Sequence, residues 1–112
     1  MNINLKTLLA VAPFSEQDRE MLLRRYDNLT DAHKVKLTNA AWEALSQLYF
    51  SKVDTETNQL LIEIREGKRT YNPADFSEIV AKLTYEFAHR LGVAKTAEQI
   101  AEVRAMFEKY RG

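Results

Sequence analysis

The chain has 112 residues, of which 46% are hydrophobic and eleven are aromatic, and this predicts one domain over 1–112 with a single core. Sixteen basic and sixteen acidic residues cancel to a formal net charge of zero, which argues against a chain-wide attraction to nucleic acid or to an anionic membrane. The absence of cysteine excludes disulfides and thiolate chemistry and fits a cytoplasmic protein. No stretch has the roughly 18–20 unbroken apolar residues of a membrane span, so we expect a soluble protein.

Two short helices are expected before the long central one. A following proline disfavours helix, so the first helix should end before Pro13. Its apolar residues have i, i+3, i+4 and i+7 spacing: Leu5, Leu8, Leu9 and Ala12. Ser15 is a suitable N-cap for a second helix over about 16–26. The residues predicted to point inward from this second helix are Met21, Leu22 and Leu29.

The most informative stretch runs from Asp31 to Glu66, thirty-six residues without a glycine or proline. It predicts one long helix of about 54 Å, capped by Thr30 at its start and ended by Gly67 in a left-handed conformation. Six consecutive polar residues at 54–59 leave open whether this helix is continuous or breaks there.

Apolar residues of the long helix form two stripes when successive positions are placed about 100° apart. One stripe comprises Leu37, Ala41, Ala44 and Leu48, and the other comprises Val35, Trp42, Tyr49, Val53, Leu60 and Ile64. A helix that is apolar over such a wide arc must be covered on two sides. We therefore expect the first two helices to cover the first stripe and later helices to cover the second, with Trp42 as the main core anchor.

A fourth helix should begin at Asn72-Pro73 and end at Gly92, and Thr96 with Gln99 forms a capping box for a fifth helix over about 97–110. Because the connection after Gly67 is short, the fourth helix must run back antiparallel along the third. The sequence thus predicts an all-α fold: an elongated five-helix bundle built around one long central helix (about 31–66) with an antiparallel C-terminal helical hairpin.

Motifs for catalysis or cofactor binding are weak in this chain. Glu86 and His89 have the Glu-x-x-His spacing of helical di-iron sites, but a second such pair is lacking. The alternating charges at i+4 spacing indicate a solvated helix face: Glu78, Lys82, Glu86 and Arg90. No Gly-rich phosphate loop or recognisable nucleophile motif is present, so we expect no enzyme activity, no metal site and no cofactor.

Two surface features are candidates for binding. A basic tip follows the long helix and could contact a partner or stack on nucleic acid bases: Arg65, Lys68, Arg69 and Tyr71. Basic residues also favour any helix C-terminus, so simple surface placement is the competing interpretation. The other feature is a set of apolar residues without an evident cover. Phe50 and Leu61 lie outside both stripes, and Ile62 lies on the first stripe but beyond the expected reach of the first two helices. These three residues either mark a partner-binding surface or are buried by the fifth helix or a bend.

The resulting hypothesis is a non-catalytic helical protein–protein interaction module, such as an adaptor, a small regulator or an assembly subunit. It would associate as a homodimer, or with another protein, through the long helix. The alternative is a nucleic-acid-associated helical protein that uses the basic tip at 65–71.

Overall fold

The computed structural model describes residues 3–111, and over that range it contains five α-helices, one 3₁₀ turn and no strand. The helices are α1 (Leu5–Val11), α2 (Glu16–Arg24), α3 (Asp31–Arg65), α4 (Pro73–Arg90) and α5 (Ala97–Lys109). The molecule measures 56 × 30 × 21 Å. Its longest dimension is close to the ~52 Å length expected of α3, so the predicted elongated all-α bundle is confirmed.

α3 is one unbroken helix, which settles the open question at 54–59 in favour of continuity. At its start, the Thr30 hydroxyl accepts a hydrogen bond from the His33 backbone N–H. Within the polar run, the Thr55 hydroxyl donates to the Ser51 carbonyl at 2.9 Å, so this polar side chain makes its hydrogen bond within the helix. At its end, Gly67 has a φ of +75°, the left-handed conformation that a glycine C-cap requires. The Lys68 backbone N–H then donates to the Glu63 carbonyl in the last turn at 2.9 Å.

The core lies where α1, α4 and α5 meet the N-terminal half of α3. Trp42 is only 4% exposed, and its ring lies edge-on to Phe107 at 6.1 Å and stacks on Tyr110 at 6.4 Å. Phe107 also stacks on Tyr49 at 4.6 Å and meets Phe87 edge-on at 5.5 Å. Trp42 is therefore confirmed as a core anchor, and Phe107 of α5 occupies the centre of the aromatic cluster.

Two buried hydroxyl groups of α3 fix the neighbouring helices in register. Ser46 donates to the Phe107 carbonyl at 2.6 Å, which ties α5 to α3. The Tyr49 hydroxyl lies 2.7 Å from the Thr84 hydroxyl of α4. Since Thr84 itself donates to the Val80 carbonyl, Tyr49 is the donor in this pair. These bonds satisfy groups that would otherwise be costly to bury.

The second helix differs from its prediction in length and in packing. α2 ends at Arg24 and a 3₁₀ turn follows at Tyr26–Asn28. α2 packs on α1 rather than serving as a main cover for α3, and Arg19 links the two by donating to the Ala12 and Phe14 carbonyls. Met21 was predicted to point inward but is 42% exposed, because α1 is the element that occupies the space beside α3.

Val35 is the second correction to the predicted core. It shares a helical stripe with Trp42 but is 61% exposed. The physical reason is the limited reach of the covering helices: the end of α5 contacts α3 near its start through the hydrogen bond that the Tyr110 hydroxyl donates to Asn39. Val35 lies one turn before that contact, so the stripe continues past the helices that cover it.

Candidate interaction surface

The two halves of α3 are covered unequally. In the N-terminal half, Ile3 lies beside Trp42 just before α1, and the α5 end reaches α3 from Asn39 to Phe50. In the C-terminal half, α3 contacts α4 through Glu56 and Lys82, and contacts the turn that leads into α4 through Glu63 and Arg69. Leu60 faces α4 and is 5% exposed. The far half of α3 is therefore one arm of a two-helix projection.

One side of this projection is a polar groove of about 280 Å³ between α3 and α4. Lys82 of α4 bonds Glu56 of α3 at 2.8 Å, and this hydrogen bond, followed by the charge of Glu56, raises the Lys82 pKa above its ordinary value of 10.5. A raised lysine pKa favours the folded state below pH 10.5, and the effect disappears as the pH rises through the higher folded value. The pair is solvent-exposed, so it aligns the helices more than it stabilises them.

The other side of the projection carries exposed apolar groups. Leu61 is 42% exposed and Ile62 is 41% exposed. Successive helical residues are about 100° apart, so with Leu60 directed at α4 these two side chains turn progressively away from it. The structure thus places two of the three predicted partner-binding residues on solvent-facing surface.

Phe50, the third of those residues, has different surroundings. It is half-buried, its ring meets Tyr49 edge-on at 5.0 Å, and the Arg111 guanidinium lies 4.3 Å from its centroid. It packs against the core cluster at its rim. Arg111, which follows α5, therefore covers Phe50 in part, whereas Leu61 and Ile62 are exposed.

This difference predicts that Phe50 contributes to folding and Leu61 much less. Phe50→Ala should lower the free energy of unfolding by about 1–3 kcal/mol, less than a fully buried phenylalanine would, because the ring is half-buried. Leu61→Ala should change it by about 0.5 kcal/mol or less. Urea denaturation followed by circular dichroism measures both, and equal losses for the two variants would contradict the assignment.

A strip of exposed α3 residues extends from Leu61 back toward the core. We call this strip the open face, and it comprises Asp54, Asn58, Leu61, Ile62 and Arg65, all exposed. Beside its Asp54 end is a concavity of about 450 Å³, lined in part by Phe50, Ser51 and Arg111. The polar run at 54–59 was predicted only as a possible break in the helix. The 4-3-4 spacing of residues 54, 58, 61 and 65, which aligns them on one side of α3, is the sequence signal for this face.

The basic tip is largely neutralised by neighbouring acids. Lys68 pairs with Glu66 at 2.9 Å. Arg69 pairs with Asp75 at 3.2 Å and lies 3.9 Å from Glu63. These pairs reduce the positive potential available to a phosphate backbone, so they weaken the case for nucleic-acid binding at the tip.

Two tip residues remain outside these pairs. Tyr71 is 63% exposed and its ring lies 5.9 Å from that of Phe76. Arg65 belongs to the last turn of α3, and among residues 3–111 no ion pair to it is found. Arg65 is exposed and belongs to the open face.

Glu86 and His89, the pair with Glu-x-x-His spacing, are both exposed on α4. His89 stacks on Tyr85 at 6.0 Å on the outside of α4. Within residues 3–111, no three histidine or acidic side chains group closely enough to hold a metal ion. In the same range, no helix is both long enough and apolar enough to cross a membrane.

Comparison with known proteins supplies no relative for this chain: no family model matches it, and neither a curated protein nor a solved structure matches it significantly.

Proposed function

We propose that the protein is a non-catalytic helical interaction module that associates with a second copy of itself through the open face of α3. The observation that supports this most directly is the exposure of Leu61 and Ile62, adjacent in the chain and 42% and 41% exposed, on a helix half packed against α4. Contiguous exposed aliphatic groups are a common mark of association sites, and pairing of helical faces is a common way to cover them.

The architecture of α3 supports the same proposal. Its N-terminal half is held in the core through Trp42 and Tyr49, while its C-terminal half projects with α4 as its companion. A rigid helix anchored at one end presents side chains of the other end in a defined arrangement, which lowers the entropic cost of binding. Such a module would act as an adaptor, a small regulator or an assembly subunit. The absence of cysteine fits the reducing cytoplasm, where we place it.

The test is sedimentation equilibrium of the wild type over about 1–200 μM, a range that covers micromolar dissociation constants. We expect the weight-average mass to rise from 13.0 kDa toward twice that value with concentration. The double variant Leu61→Asp, Ile62→Asp should stay monomeric while keeping its helix content, because both side chains are already exposed.

Val35→Asp is the matched control. Val35 is also an exposed aliphatic residue of α3, but it lies outside the open face, so this variant should associate like the wild type. A wild type that remains monomeric at all concentrations would refute self-association. Equal loss of association in the Val35 variant would show that the open face is not the contact.

A further inference from the structure

The open face also indicates how two copies would pair, an inference that rests on the proposed self-association. We infer that two protomers pack antiparallel along the C-terminal half of α3, with Asp54 of each protomer opposite the partner's Arg65. The occupant of the open face is thus the same face of a second copy, related by a two-fold axis.

The spacing along α3 provides the first step. Residues 54, 58, 61 and 65 are separated by four, three and four positions, the alternation that keeps side chains on one seam between two paired helices. All four are exposed, and Ile62 flanks them. The seam has a negative charge at one end, a positive charge at the other, and Asn58 with Leu61 between them.

Two-fold symmetry provides the second step. In an antiparallel pair with its axis midway between positions 58 and 61, Asp54 faces the partner's Arg65, and Asn58 faces the partner's Leu61. Each of these contacts occurs twice. A parallel pair in register would instead place Asp54 against the partner's Asp54 and Arg65 against the partner's Arg65, which is repulsive at both ends. Charge complementarity therefore selects the antiparallel arrangement.

The surroundings of the two charges provide the third step. Among residues 3–111, no intramolecular ion pair involves Asp54 or Arg65, whereas the neighbouring Lys68 and Arg69 both have acidic partners. In the antiparallel pair, the partner's chain beyond its Arg65 runs toward the concavity of about 450 Å³ beside Asp54. The space that the partner's tip needs is thus open in the monomer.

The contact is small. It centres on five side chains of each protomer, fewer than a standard interface of roughly 20–30 residues a side. We therefore expect weak, reversible association with a dissociation constant of about 10–100 μM. Because the interface is small, the dissociation constant should depend strongly on whether the two Asp54–Arg65 contacts are attractive or repulsive.

The experiment is a charge exchange measured by sedimentation equilibrium at about 0.15 M salt, where the Debye length is about 8 Å and long-range attraction is screened. Asp54→Arg alone and Arg65→Asp alone each create two like-charge contacts in the antiparallel dimer. We expect each to raise the dissociation constant at least about tenfold. The double variant Asp54→Arg, Arg65→Asp restores opposite charges at both contacts and keeps the net charge at zero, so its dissociation constant should return to within about threefold of the wild type.

The outcomes separate the pairing geometry from the proposed function. If the wild type dimerises but the single variants are as tight as the wild type, or the double variant stays as weak as the singles, the antiparallel pairing is wrong and self-association stands. If the wild type and all variants are monomeric, both proposals fail. Glu20→Arg on the exposed side of α2 is the control for net charge and should leave the dissociation constant unchanged. Circular dichroism of each variant verifies that α3 remains folded.

Discussion

Replacing Phe107 with alanine is expected to lower the free energy of unfolding by about 3–5 kcal/mol, a large part of the ~5–15 kcal/mol that holds a small domain folded. The Phe107 side chain is fully buried and lies against the rings of Trp42, Tyr49 and Phe87. Truncation therefore removes aromatic contacts made to two other helices and leaves a cavity where three helices meet. Urea denaturation followed by far-UV circular dichroism is the measurement.

Phe107→Leu is the matched control for this variant. Leucine keeps the site apolar and fills much of its volume, so we expect a loss of about 1–2 kcal/mol. The Ser46 hydroxyl bonds the Phe107 backbone carbonyl, and this bond is available in both variants. A loss below about 1 kcal/mol for the alanine variant would mean that the centre of the core lies elsewhere.

Replacing Trp42 with alanine should have a comparable effect, about 3–5 kcal/mol. Trp42 is 4% exposed, meets Phe107 edge-on and stacks on Tyr110 at 6.4 Å, so its truncation should also loosen the Tyr110 ring. Because Trp42 is the sole tryptophan, its fluorescence follows the unfolding of the wild type, whereas circular dichroism must be used for the variant.

Val35→Ala provides the comparison that makes the Trp42 result informative. Both residues were assigned to one stripe of α3, but Val35 is 61% exposed, so its truncation should change the free energy of unfolding by about 0.5 kcal/mol or less. Losses of similar size at the two positions would show that the stripe is covered along its whole length, contrary to the structure.

The helix ends are the part of the fold that the sequence predicted best. Thr30, Asn72 and Thr96 were assigned as N-caps, and each side chain accepts a hydrogen bond from a backbone N–H in the first turn of its helix. Gly67 and Gly92 were expected at helix ends, and both have positive φ. These features depend on residues within one turn of each other, so they can be recognised without knowledge of the tertiary fold.

The continuity of α3 was less certain from sequence, since 54–59 are all polar. Their residue types permit helix but do not require it. In the structure, α4 packs along this segment, and Lys82 bonds Glu56 across the two helices. A helix of this length gains most of its stability from such packing rather than from propensity, which explains why a local pattern left the question open.

The candidate site shows the same limit. Phe50, Leu61 and Ile62 were grouped because no predicted helix evidently covered them, yet Phe50 lies under Arg111 at the rim of the core while the other two face solvent. Their positions around α3 gave no information on how far along the helix α5 would extend. The open face could be recognised only once that distance was known, because it begins where the cover ends.

The sequence by itself determined the all-α class and most of the helix ends, because backbone hydrogen bonding and the dihedral preferences of glycine, proline and capping residues act over a few residues. The continuity of α3 through 54–59 was decided by the tertiary structure, where α4 packs along it. Only the tertiary structure decided that Val35 is exposed, that Phe50 is half-buried and that Leu61 remains uncovered. Burial at these positions depends on the lengths and placement of other helices, which are long-range properties that one stripe of side chains does not specify.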